Sequence, residues 1–178
     1  MSKQRPVAIV TLTIGIGVVA ALAALGFFGG LRLNLTPSYP LGIWRIGPLD
    51  RAAAVGDRVF ICPPDGPAFV LGQSRGYLPN GLCPSGLAPL IKTIVAIAGQ
   101  SVAVGPAVTI DGVIVPSSVV RASDVQGRPL PRFSGGRVPA NAVFVFSPFG
   151  GSYDSRYFGP ISADGILGLA MPVLVLAR

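Results

Sequence analysis

The sequence predicts a mainly β domain carried behind one N-terminal transmembrane helix, and three observations lead there. Residues 7–28 are almost wholly apolar and residues 6–31 hold no charge, whereas about 20 such residues span a bilayer as a helix. The chain carries 24 Gly and 18 Pro, many clustered in turns, and beyond the apolar run strong helix formers are scarce while Val and Ile are common. Asp111-Gly112 stands between two β-branched runs, Val108-Thr109-Ile110 and Val113-Ile114-Val115. That pairing is the strongest short hairpin signal, because both turn positions tolerate positive φ.

The elements follow in order. Lys3 and Arg5 precede the apolar run, which favours a cytoplasmic N-terminus, although Arg32 on the far side weakens the asymmetry. A cleaved signal peptide is the alternative, since Ala21-Leu22-Ala23 resembles a small-residue cleavage site. The run continues through Leu25, Phe27 and Phe28, longer than the usual core of about 7–15 residues, so a retained anchor is the favoured reading. The expected organisation is a tail at 1–6, an anchor at 7–28 and one exported domain at 29–178. Residues 33–46 hold Pro37, Pro40 and Gly42 and cannot form a long helix. Residues 57–62 read as a strand, 63–89 as a loop or small excursion, and 90–98 as a buried strand turned by Gly99-Gln100. Residues 117–138 read as a long loop, and 142–146 and 166–176 as further strands. The last run is too short for a second span, and Pro172 interrupts it.

Composition narrows the chemistry. The chain has no His, no Glu, two Lys and twelve Arg. A Ser-His-Asp triad is therefore impossible, and no metal or other cofactor is expected. The cysteines, Cys62 and Cys83, make a poor metal site. In an oxidising compartment they suit one disulfide across a Pro/Gly-rich loop, contributing roughly 3 kcal/mol; two free thiols are the alternative. The net charge is +7, but the arginines are scattered without a dense basic run or interleaved aromatics, so nucleic acid is not an expected partner. They suit an anionic lipid surface beside the anchor, or simply solvent.

A Ser–Lys pair remains for nucleophilic chemistry. Lys92 is the one Lys beyond the N-terminal tail and sits in Leu90-Ile91-Lys92-Thr93-Ile94-Val95-Ala96-Ile97. A buried Lys can lose its proton, which Arg cannot, so Lys92 is the candidate general base. A Lys at a strand edge with its head in solvent is the commoner fate. Among many serines, Ser38 stands in Asn34-Leu35-Thr36-Pro37-Ser38-Tyr39-Pro40-Leu41-Gly42. Two prolines fix the backbone there, which suits a rigidly presented nucleophile and equally an ordinary turn.

Three segments carry a resemblance. Thr36-Pro37-Ser38-Tyr39-Pro40-Leu41-Gly42 resembles the nucleophile box of type I signal peptidases. With Asn34 before it and Ile43-Trp44-Arg45 after it, the run is more similar to that of the TraF-type conjugal transfer peptidases. Lys92-Thr93-Ile94-Val95-Ala96-Ile97-Ala98-Gly99-Gln100 is similar to the lysine box, and Ser152-Tyr153-Asp154-Ser155-Arg156-Tyr157-Phe158-Gly159-Pro160 resembles the last box. Tyr39 replaces the usual Met, and Pro148-Phe149-Gly150-Gly151 replaces an asparagine-rich start.

The resemblance implies a signal-peptidase-like β-rich fold and a serine endopeptidase. Ser38 would be the nucleophile, Lys92 its base, and Ser152 a hydroxyl that orients the amine. Thr36 would join the Ser38 backbone N–H in the oxyanion hole. Asp154 and Arg156, read as two apart on an extended segment, would share a side, as a structural salt bridge or as part of the chemistry. The implied setting is a bacterial inner membrane, with the domain in the periplasm. The implied substrate is an exported pilin precursor, with possible partners in the conjugative secretion machinery. Resolution of the acyl-enzyme by the pilin's own amine would give a cyclic product. General signal-peptide removal and a non-catalytic periplasmic assembly role are the alternatives. Ser38 lies ten residues beyond Phe28, within about 35 Å even when extended. A membrane-facing apolar surface at Leu33, Leu35, Tyr39 and Trp44 is therefore expected.

Overall fold

The computed structural model describes residues 4–176, so residues 1–3 of the expected tail lie outside the described residues. Helix α1 (Gln4–Phe28) opens the chain. Its Arg5–Phe28 stretch is long and apolar enough to cross a membrane, with a mean hydropathy of 2.5, and its Val, Ile and Leu side chains are exposed. So much exposed apolar surface suits lipid rather than water, and the helix fits a single-pass anchor or a signal sequence. Its end is tied down: the Arg32 guanidinium lies 4.1 Å over the Phe27 ring and donates to the Phe27 carbonyl at 2.9 Å. The same carbonyl accepts from the Gly30 N–H at 3.1 Å, so this helix C-terminus is held from two sides.

All strand pairings that follow are antiparallel. In chain order they are β1 (Leu31–Asn34), β2 (Gly42–Gly47), β3 (Arg58–Ile61), β4 (Leu90–Ile97), β5 (Ser101–Val104), β6 (Val108–Ile110), β7 (Val113–Ile114), β8 (Gly136–Arg137), β9 (Ala142–Phe146), β10 (Ile161–Ser162) and β11 (Ile166–Val175). A seven-stranded sheet runs β1-β2-β11-β3-β4-β9-β10, and a four-stranded sheet runs β7-β6-β5-β8. The domain is mainly β, and Asp111-Gly112 makes the β6–β7 turn with φ of 49° and 84°, as the hairpin signal requires. Pro172 sits where β11 slips register against β2, the irregular position that a residue without an N–H demands. Ala96, Val102, Val108 and Phe144 belong to one buried cluster. Val59, Ile61, Ile94 and Val145 belong to a second, with Phe69, Leu78 and Tyr153.

The structure departs from the sequence reading at several elements. The 63–89 excursion contains a helix, α2 (Pro67–Ser74). Eight residues are too few to be helical on their own, so packing of Phe69 into the core decides it. Strands β5 and β8 are too short for a periodic signal, and β8 lies inside the expected long loop. Tyr39 and Trp44 are buried, at 5% and 1% exposure, whereas Leu33 and Leu35 are exposed. The expected membrane-facing surface therefore loses its two aromatic members. Both rings join Phe60, Ile91 and Ala170 in a third core cluster, because their polar ends find partners inside: Trp44 Nε1 donates to the Pro40 carbonyl at 3.0 Å, and the Tyr39 hydroxyl meets Thr93 Oγ1 at 2.6 Å.

Candidate active site

Residues 35–41 turn the chain from β1 to β2, and Asn34 organises that turn. Its Nδ2 donates to the carbonyls of Thr36 (3.0 Å), Tyr39 (3.1 Å) and Pro40 (3.0 Å). Its Oδ1 accepts from the Thr36 N–H at 3.1 Å and the Thr36 hydroxyl at 2.8 Å. One buried amide thus satisfies a loop too short for its own ladder. Gly42 closes the turn with φ 136°, where a Cβ would lie 2.2 Å from the Leu174 carbonyl oxygen; only Gly allows β2 and β11 to approach so closely.

The turn brings Ser38 to Lys92 on β4. Lys92 Nζ lies 3.3 Å from Ser38 Oγ and donates to Ser152 Oγ at 2.6 Å, and the two serine oxygens are 3.3 Å apart. The amine is buried, and burial pushes its pKa from 10.5 down to about 8, against an opposing pull from the Asp154 carboxylate and with Arg156 adding to the fall. A neutral amine in this position can accept the Ser38 proton through its lone pair while one N–H holds Ser152. An open cleft of about 630 Å³ leads to Ser38 and Lys92, lined by residues 33–38, 76–80 and 88–92 with Phe149, Gly151 and Tyr153.

The chain matches the family described as signal peptidase, peptidase S26, from residue 4 to residue 175. It belongs to that family. A probable conjugal transfer protein TraF from Sinorhizobium fredii (strain NBRC 101917 / NGR234) is 56% identical over 175 residues, covering 98% of this chain and 93% of that protein. The conjugal transfer protein TraF of Agrobacterium tumefaciens (strain 15955) is 53% identical over 155 residues, covering 87% and 88%. A plasmid transfer protein TraF from Escherichia coli is 32% identical over 169 residues, covering 92% and 93%. Peptidase S26 membership makes this a protein of the serine-peptidase kind.

Within this S26 fold the remaining expected residues are placed as follows. Thr36, two residues before Ser38, has its hydroxyl on Asn34 Oδ1 at 2.8 Å. Asp154 and Arg156 do not lie on an extended segment: Asp154 caps the short helix α3 (Ser155–Phe158) and accepts from the Arg156 N–H at 3.3 Å. They meet because the helix turns Arg156 back, with Nε–Oδ1 at 2.8 Å and Nη2–Oδ2 at 2.9 Å, both side chains fully buried. Arg156 also donates to the carbonyls of Ser152 at 3.1 Å and Val119 at 2.6 Å. Among the described residues neither side chain bonds to Ser38 or Lys92. The pair holds the segment that presents Ser152. Cys62 and Cys83 are joined in a disulfide with Cα atoms 5.5 Å apart, tying the end of β3 to the 75–89 segment that walls the cleft.

Two residues of the site escaped the sequence reading as individual actors. Asn34 was visible in its motif, and an Asn between a strand and a Pro-rich turn is a signal for side-chain-to-backbone bonding. Ser147 gave no signal. It is buried at the end of β9, its hydroxyl donates to the Ser38 carbonyl at 2.6 Å, and its N–H donates to Asp154 Oδ2 at 3.2 Å.

Proposed function

We propose that this protein is a membrane-anchored endopeptidase in which Ser38 attacks a peptide carbonyl and Lys92 takes its proton, with its domain in the periplasm. The observation that carries the proposal is the buried Lys92 amine within reach of both the Ser38 and Ser152 hydroxyls. Burial lowers the amine's pKa to about 8, which brings the neutral form that a base needs within reach, and the Ser152 bond aims it, as the third member of a triad does. The proposed substrate is an exported pilin precursor of a conjugative apparatus, in keeping with the conjugal transfer names of the relatives. Attack forms an acyl ester on Ser38 and releases the downstream amine, which takes the proton back from Lys92. Water then yields a linear product, or the precursor's own amine a cyclic one.

The test is mass spectrometry of a pilin precursor co-expressed with the full chain. Wild type should release a processed product, lighter by the mass of one water if it is cyclic. Ser38→Ala, Lys92→Ala and Lys92→Arg should each leave the precursor intact, the last because Arg keeps its proton. Processing by Lys92→Arg near the wild-type level would make Lys92 a structural cation and refute the mechanism.

A further inference from the structure

We infer that the hydrogen bond between Tyr39 and Thr93 is a latch that sets the separation of Ser38 from Lys92, and that both are positioning residues of the reaction. This rests on the Ser38–Lys92 reading above. Each latch residue follows its reacting neighbour in the chain, Tyr39 after Ser38 and Thr93 after Lys92. Successive residues of a strand point to opposite faces. On β4, Lys92 therefore faces the cluster of Val59, Ile94 and Val145, and Thr93 faces the side of Tyr39 and Trp44. Ser38 reaches Lys92 on one face, and Tyr39 reaches Thr93 on the other at 2.6 Å. The turn straddles the strand.

The place where it does so is the open flank of β4. Strand β9 pairs with β4 only as far as Phe146 opposite Thr93, while Leu90, Ile91 and Lys92 pair with β3 alone. The Ser38, Tyr39 and Ser147 side chains link this turn to β4 and to the end of β9, and they set its height along β4. Ser147, just past the end of β9, holds the Ser38 carbonyl. Asn34 shapes the turn from within and Trp44 holds its Pro40 carbonyl, and the bond from Tyr39 adds a second attachment to β4, one residue along from the Ser38–Lys92 contact. Arg58, opposite Thr93 on β3, lies 4.8 Å over the Tyr39 ring and keeps the ring in place. Proton transfer needs the two heavy atoms within about 3 Å, and misplacement by an ångström can cost on the order of a hundredfold.

The test uses the full chain in detergent and p-nitrophenyl acetate as a small acyl donor that needs no pilin. Ser38 Oγ forms the acetyl ester, p-nitrophenolate leaves and Lys92 takes the hydroxyl proton. The rate of Ser38 acetylation is read by intact mass across pH, with melting temperature alongside. Tyr39→Phe and Thr93→Val should each slow acetylation roughly tenfold or more, and the double variant should be no slower than either, since one bond is lost in all three. Thr93→Ser should restore the rate. The pH midpoint should stay near that of wild type, because Lys92 remains buried beside Ser152, Asp154 and Arg156; a merely loosened core would admit water and move the midpoint upward. Wild-type rates in the single variants, additive losses, or a midpoint that rises with a falling melting temperature would overturn the latch. Acetylation of Lys92→Ala as fast as wild type would instead overturn the base assignment beneath it.

Discussion

Replacing Lys92 with Met should stabilise the protein while removing the proposed base. The amine is buried and its pKa falls from 10.5 to about 8 because the charged form is poorly solvated there. A group whose pKa is depressed on folding holds its proton more weakly in the folded state than in the unfolded one. Below about pH 8 both states are protonated, and the folded state bears the full cost of the buried charge. Between about pH 8 and 10.5 the folded protein has lost the proton while the unfolded chain keeps it, so stability rises; above that window the cost is gone. The difference between 10.5 and about 8, at roughly 1.4 kcal/mol per pKa unit, puts that cost at about 3 kcal/mol. Met has similar length without a charge and fills the space, and Ser38 and Ser152, 3.3 Å apart, retain each other as partners. The assay is urea unfolding of the full chain in mild detergent, followed by fluorescence of its single tryptophan, Trp44, which is buried in the core. Lys92→Met should unfold later than wild type by about 2–3 kcal/mol at pH 7, and the gap should close as pH approaches 10.5. Equal stabilities at pH 7, or a gap indifferent to pH, would refute the claim that burial tunes this amine.

Two further outcomes concern the scaffold. Replacing both Cys62 and Cys83, 21 residues apart, by Ser should lower unfolding stability by about 2–5 kcal/mol in the same urea assay, while acetylation of Ser38 at low temperature survives. Asp154→Asn should destabilise the domain by about 3–5 kcal/mol, because it leaves the fully buried Arg156 without its counter-charge; a loss of activity without a loss of stability would instead mark Asp154 as part of the chemistry.

Much of this protein is legible in order along the chain. A long apolar run is long enough to cross a membrane by length alone, wherever the rest folds. The scarcity of helix formers and the Asp111-Gly112 turn settle on strands through local backbone preference. The absence of His removes whole classes of catalytic site without any structure. One Lys in an apolar strand marks a candidate base because burial and β-periodicity are both local properties of residues 90–97. The tertiary structure alone decides what that amine meets. Ser38 and Ser152 stand 54 and 60 residues from Lys92, and their meeting depends on where β9 stops pairing with β4 and how the β1–β2 turn closes against β11. Strand register carries no trace within a single segment, so Ser147 beneath Ser38 and the bond from Tyr39 to Thr93 could not be read in advance. The burial of Tyr39 and Trp44 has the same origin: an aromatic ring close behind an apolar helix is drawn to whichever surface can also satisfy its polar end, and only the folded sheet shows that surface to lie inside.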